Sequence, residues 1–335
     1  MCSTLGENDL FNLFKTNNII YKMSLEQKIT NSRDIKQSTL NIYMSNLHTL
    51  YNSIENPTVR FDIPDWLYIY QAHILEFLYQ YAPSTQKNYY SAILVALSTD
   101  LDKYQDFYES YFNLHKKLAD DISDEMMTQI KTEKQAENWV SMSVLKDVVD
   151  NLHADIISQN LYQLANWDKQ QTDLFQRYLV GSLYTKIPPV RLDFSGMKII
   201  SKKEYDKLKD KKDNYLVIQN LKKKQFVFND YKTFSKYGSK IITVPDEINA
   251  ILNVWLFHNK TGFLLLDNNN KPMSRVTLSR YLTKIFSPTG KNISVTMLRH
   301  IYLSDQFPAQ SQKMKDLAGS MMHSVNTQQN IYVKK

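Results

Sequence analysis

The sequence predicts a mainly α-helical protein with a small antiparallel β-sheet, an α+β fold divided into two domains. Three observations predict it. The chain has 335 residues, 43% of them hydrophobic, which exceeds one small core and suits two. Over most of its length the apolar residues recur at helical spacing. Between Met197 and Pro245 the period shortens to strand-like runs separated by turn residues.

Residues 1–35 show no sustained period and read as an N-terminal arm or a loosely docked helix. A helical domain spans 36–125. Ser38 can cap its first helix, along which Leu40, Tyr43, Met44, Leu47, Leu50 and Tyr51 recur at helical spacing. Asn56 and Pro57 break that helix, and Pro64 opens a second over DWLYIYQAHILEFLYQ. Pro83, Ser84 and Thr85 start a third, with Tyr89, Ile93 and Leu97 on one face; a fourth follows over YQDFYESYFNLHKKLADDI. The polar, glycine-free stretch 126–142 is the expected linker.

The second domain, 143–335, begins with helices at Ser143 and Asp168, the latter placing Leu174, Phe175, Tyr178, Leu179 and Leu183 on a common side. Pro188 and Pro189 end it and fix the chain geometry just before Arg191. The strand-like runs are MKIIS, YLVIQN, KQFVFNDYK and KIITVP, with turn signals at Asp213-Asn214, Asn229-Asp230 and Gly238. The lysine-rich stretch 202–212 reads equally as a solvated loop or as a DNA-backbone contact. Helices over EINAILNVWLFH and SRVTLSRYLTKIF lead to a last segment from Ser294 onward.

A formal charge of +7 favours polyanionic partners. Cys2 is the only cysteine, so an intrachain disulfide and a cysteine-rich zinc site are excluded and a reducing compartment is expected. The first residues lack a basic start followed by an apolar run. No uncharged apolar stretch reaches the ~18 residues of a membrane span, so neither secretion nor membrane insertion is expected. There is no repeat and no glycine-rich phosphate loop.

Residues suited to phosphate chemistry fall in separated segments: Arg191 after the double proline, Lys232 in NDYKTFSKYG, Arg299 in TMLRH, and His323 with Tyr332 near the end. Tyr332 follows His323 by nine residues, and His323 follows Arg299 by 24. This order and spacing resemble the tyrosine recombinases, or integrases. LRHIYLS is similar to that family's Arg-His box, and MMHS to its Gly-His-Ser. The motifs cover roughly 170–335; the N-terminal helices match by architecture only. The double proline and YKT are also similar to recombinases of eukaryotic viruses and their mobile elements.

The resemblance implies a C-shaped clamp on double-stranded DNA, with 36–125 as the helical core-binding domain and 143–335 as the catalytic domain. It implies an intracellular homo-tetramer acting on two duplexes, with no metal or other cofactor. Arg191 and Arg299 would hold the non-bridging oxygens of the scissile phosphate. Tyr332 would be the nucleophile, giving a 3′-phosphotyrosyl link. Lys232 would protonate the leaving 5′ oxygen, a role open also to Lys236 or to one of Lys222 to Lys224. His323 would donate to a phosphate oxygen. Asp193 would orient Arg191, and His300 is expected to be a buried histidine supporting its helix.

Three departures from the family pattern stand out. Thr296 replaces the histidine of His-x-x-Arg, so no imidazole is present there to take a proton. Met322 replaces a glycine, and only Val333, Lys334 and Lys335 follow Tyr332, where many relatives continue with a helix that docks on a neighbouring subunit. Subunits of an intact chain would then link through another segment, such as the N-terminal arm. Two other functions share these features: a type IB DNA topoisomerase, and a DNA-binding protein with a decayed recombinase site.

Overall fold

The computed structural model describes residues 23–307 and 320–321. It is mainly helical with one four-stranded sheet, and the chain divides into two compact units between Ile130 and Lys131.

Among its described residues the first unit has helices and no strand. α1 (Leu25–Ser32) starts at a reciprocal cap, in which Ser24 and Gln27 each bond the other's backbone N–H. It lies within the expected arm, yet Leu25 and Ile29, four residues apart on one face, are fully buried. α2 (Gln37–Asn52) has Lys36 at its cap position, two residues before Ser38, and buries Leu40, Leu47 and Leu50. The single helix expected after Pro64 is two, α3 (Trp66–Ile69) and α4 (Gln71–Tyr79). The chain turns between them at Tyr70, whose hydroxyl takes the Thr58 N–H at 2.8 Å. α5 (Pro83–Leu97) carries proline in its first turn and packs on α6 (Leu101–Met127), where buried Tyr111 donates to the Leu67 carbonyl at 2.8 Å.

In the second unit, α7 (Glu133–Glu137) precedes α8 (Met142–Ser158), which Ser141 caps. α9 (Lys169–Thr185), begun by an Asp168–Gln171 capping box, is the helix around which the unit packs. All but one of the residues from Phe175 to Thr185 are buried, as expected of a helix with neighbours on every side. Gly181 lets α8 approach: a Cβ there would lie 2.8 Å from Val149 Cγ2.

The sheet is mixed rather than antiparallel. Its order is β1 (Lys198–Ser201), β2 (Tyr215–Ile218), β3 (Lys224–Phe228), β4 (Lys240–Thr243); β1 runs parallel to β2 and the other pairs are antiparallel. The stretch read as a solvated loop or DNA contact supplies the reason. It holds a short helix, α10 (Lys202–Lys207), and so forms the crossover that parallel neighbours require. One face of the sheet sends Leu216, Phe226 and Phe228 into the main core. The other packs Tyr215, Val217 and Val227 under Tyr205 and Leu208 of the crossover. A small helix, α11 (Phe234–Tyr237), interrupts the β3–β4 connection. α12 (Asp246–His258), α13 (Arg275–Ile285) and α14 (Val295–Gln306) then pack against α9.

Among the described residues no helix is long and apolar enough to cross a membrane. The close approach at Gly181 predicts that Gly181→Ala costs about 1–3 kcal/mol of stability through overpacking, and that Val149→Ala in the same chain recovers part of it. Urea unfolding of the single and double variants measures both terms; an unchanged midpoint in Gly181→Ala would exclude the tight contact.

Candidate active site

The site begins where α9 ends. The helix points its C-terminus at the double proline, and the next segment is tied back to it by Tyr184, whose hydroxyl donates to the Arg191 carbonyl at 2.6 Å. Burial, followed by the charge of Asp193, pushes the Tyr184 phenol well above its ordinary pKa and keeps it a donor. Arg191 is half-buried and so held at its base with part of its surface free.

Asn214 sits between this segment and the β3–β4 connection. It is only 5% exposed. Its amide nitrogen donates to the carbonyls of Asp193 and Asp230, both at 2.9 Å. Its amide oxygen accepts the backbone N–H of Asn229 at 2.9 Å and of Asp230 at 2.8 Å. Two donors and two acceptor sites are what a carboxamide has, and all four are used. Asn229 answers with a bond from its own amide to the Asp213 carbonyl at 3.0 Å. The Arg191–Asp193 segment and the start of the loop carrying Lys232 are thereby fastened to one side chain, at one end of the sheet.

Arg275, in the first turn of α13, closes this end. Its guanidinium lies 3.7 Å from the Asp193 carboxylate and 3.2 Å from that of Asp230. The ion pair expected between Asp193 and Arg191 is made with Arg275 instead, because the turn at 192–195 carries Asp193 toward the start of α13. Burial raises the Asp193 carboxyl above its ordinary value, and the charges of Arg275 and then Arg191 pull it partly back.

Lys232 is exposed on the loop between β3 and α11. The Tyr231 hydroxyl donates to the Gly238 carbonyl at 2.7 Å and closes that loop, and Gly238 takes the positive φ of 65° that the reversal needs. Lys236 is also exposed there. Lys224 is unsuited to a phosphate: it is 1% exposed, and its ammonium is bonded to the Leu221 carbonyl and the side chains of Asn249 and Asn253. Burial lowers its pKa. Lys222 and Lys223 are exposed, but they lie in the β2–β3 turn, at the end of the sheet opposite Asn214.

Arg299 comes from α14, which Ser294 caps through the Met297 N–H at 3.2 Å. Met297, Leu298 and Ile301 bury one side of this helix against the core. Thr296, Arg299 and His300, spaced three and four residues apart, share the other. Arg299 is half-buried; His300 is exposed rather than buried, since it falls one position beyond the apolar stripe. α14 packs on α8 and on α9, the helix whose end leads to Arg191. His323 and Tyr332 lie outside the described residues.

The structure therefore joins Arg191, Asp193 and the loop bearing Lys232 through Asn214, and places Thr296, Arg299 and His300 on one helix face of the same unit. Sequence reading missed the roles of Asn214 and Arg275. By pattern Asn214 is only a turn residue. Arg275 carried a signal, because a cation in the first turn of a helix opposes the helix dipole and needs carboxylate partners.

No protein-family model matches the chain, and no curated protein or solved structure matches it either.

The raised Asp193 carboxyl sets a pH dependence. Below its ordinary value of 3.8 the group is protonated in both folded and unfolded chains; as pH climbs past 3.8 the unfolded chain ionises first, and the folded state loses stability until the raised value is passed. The stability of wild type relative to Asp193→Asn is thus expected to fall as pH rises above 3.8. Urea unfolding of both proteins from acid to neutral pH checks the sign; an advantage of wild type that grew with pH would contradict it.

Proposed function

We propose that the chain is a site-specific DNA recombinase that cuts and rejoins double-stranded DNA through a 3′-phosphotyrosyl intermediate. One observation carries the reading: Asn214 fastens the segment of Arg191 to the loop of Lys232, so a guanidinium and an ammonium are held from the same end of the sheet. Arg275 supports it by engaging the carboxylates of Asp193 and Asp230, as Lys198 engages that of Asp213; unpaired, these would repel a phosphate. The order of residues in the sequence supplies the rest.

In this mechanism Arg191 and Arg299 hold the two non-bridging oxygens of the scissile phosphate, and their donors are worth most as charge builds on the five-coordinate phosphorus. The Tyr332 oxygen attacks phosphorus, and its proton passes to a phosphate oxygen or to water as the new P–O bond forms. The bond to the 5′ oxygen breaks, and Lys232 supplies the proton that oxygen needs. His323 donates to a phosphate oxygen. Thr296, on the helix face of Arg299, offers a hydroxyl in place of an imidazole. The N-terminal helical unit would take the opposite side of the duplex, completing a C-shaped clamp by contacts that are mostly to phosphate and therefore salt-dependent. Strand exchange calls for four subunits on two duplexes.

A library of nicked, random-sequence duplexes tests the reading whatever the target sequence is. Wild type is expected to leave protein covalently bound to DNA after denaturation in detergent, whereas Tyr332→Phe binds the same DNA and leaves none. Arg191→Ala and Arg299→Ala should each slow adduct formation by about 100- to 1000-fold. A slow Lys232→Ala should regain speed on DNA with sulfur at the bridging 5′ position, a better leaving group. A folded wild-type protein that binds the library yet forms no adduct would exclude the enzyme.

A further inference from the structure

The loop that carries Lys232 also displays side chains that phosphoryl transfer does not need. Phe234 is 41% exposed and Tyr237 66%, and Ile241, in β4 where the connection rejoins the sheet, is 55%, three large apolar groups within eight residues. Around them Lys232, Lys236 and Lys240 are all exposed, and no acidic residue occurs from Tyr231 to Pro245. The loop is braced from within. Tyr231 is partly buried against the main core, bonds Gly238 through its hydroxyl at 2.7 Å, and meets the Phe234 ring edge-on at 6.1 Å. The Gly238 N–H bonds the Phe234 carbonyl at 2.7 Å, and those of Lys236 and Tyr237 bond the Thr233 carbonyl at 3.1 Å. The backbone that carries the aromatic groups is thus fixed from within, which lowers the entropic cost of ordering the loop on binding.

We infer that this loop is a stacking platform for unpaired bases of DNA. Three lysines without an acid between Tyr231 and Pro245 call for a polyanion; Lys236 lies 5.2 Å from the Tyr237 ring centre, and rings exposed beside such charges call for a polyanion with flat apolar faces of its own. An intact duplex offers the charge but keeps its base faces stacked. Single strands, bubbles and partly melted steps offer both, and aromatic stacking with lysine contacts to phosphate is the general chemistry of their recognition. An acidic peptide would satisfy the lysines and leave Tyr237 and Phe234 without partners of matching shape. The inference gives a use to the proposed recombinase, which must unstack bases beside the cut before strands change partners. The binding itself is measurable without cleavage.

The test uses the full chain with three labelled probes of equal length: a duplex, the same duplex with a central six-base bubble, and a single strand. Vesicles of anionic phospholipid form a fourth arm. Wild type is expected to bind the bubble and the single strand about fivefold or more tighter than the duplex. Phe234→Ser with Tyr237→Ser should bring all three DNA affinities within twofold while leaving that for the duplex unchanged. Both side chains are exposed, and an unchanged melting temperature confirms folding. Lys236→Gln with Lys240→Gln should weaken all three together and flatten the salt dependence. Equal affinity of wild type for duplex and bubble would overturn the inference, as would a preference that survives loss of both rings, or binding to vesicles in place of unpaired DNA. The covalent-adduct assay stands apart: loss of the adduct with the bubble preference intact removes the recombinase and keeps the platform.

Discussion

The buried side chain of Asn214 is the constraint on which the candidate site depends. One carboxamide replaces the water that two backbone N–H groups and two carbonyls from distant segments would otherwise need. In a buried place each group left unpaired costs about 1–3 kcal/mol. No apolar residue could fill the position, and aspartate could accept but not donate. The strand order brings the segments of Arg191 and Lys232, 41 residues apart in sequence, to one end of the sheet, and this amide ties them together there. Tyr184 fixes the segment from the α9 side, and Arg275 pairs with the carboxylates of Asp193 and Asp230 on the α13 side.

The sheet separates two kinds of lysine. At the end opposite Asn214, Lys224 is drawn into the protein and spends its donors on Leu221, Asn249 and Asn253, so it anchors the β2–β3 turn on α12. At the Asn214 end, Lys232 stands on an exposed loop whose roots are rigid. A general acid has to reach a phosphate from solvent and withdraw after transfer, and an exposed side chain on a braced loop suits that task better than a buried one. The same bracing fixes the backbone from which Phe234 and Tyr237 are exposed.

Much of this is legible in the sequence. Helices announce themselves through caps such as Asp168 with Gln171 and through the stripe from Leu174 to Leu183; all four strands fall within their alternating runs. Pattern alone does not give strand direction: β1 and β2 have the composition of any strand pair, and the parallel order follows from a crossover helix short enough to pass for a loop. It also does not separate Lys224 from Lys222 and Lys223, since burial of a lysine depends on two asparagines on α12. His300 is misjudged for a related reason. It adjoins the apolar stripe of α14 without belonging to it, and one position around a helix changes a residue's side. The role of Asn214 is invisible because its partners come from two segments distant in sequence, Asp193 and Asn229-Asp230.

The most direct test is amide hydrogen exchange on wild type and Asn214→Ala. If one side chain fastens both segments, the variant should lose protection at Asn229 and Asp230, whose N–H groups it binds, and also at Ser195 in the turn after Arg191, with the α12 amides unchanged. Faster exchange confined to Asn229 and Asp230, with Ser195 as protected as in wild type, would show that the two segments are held independently and would contradict the central role given to Asn214.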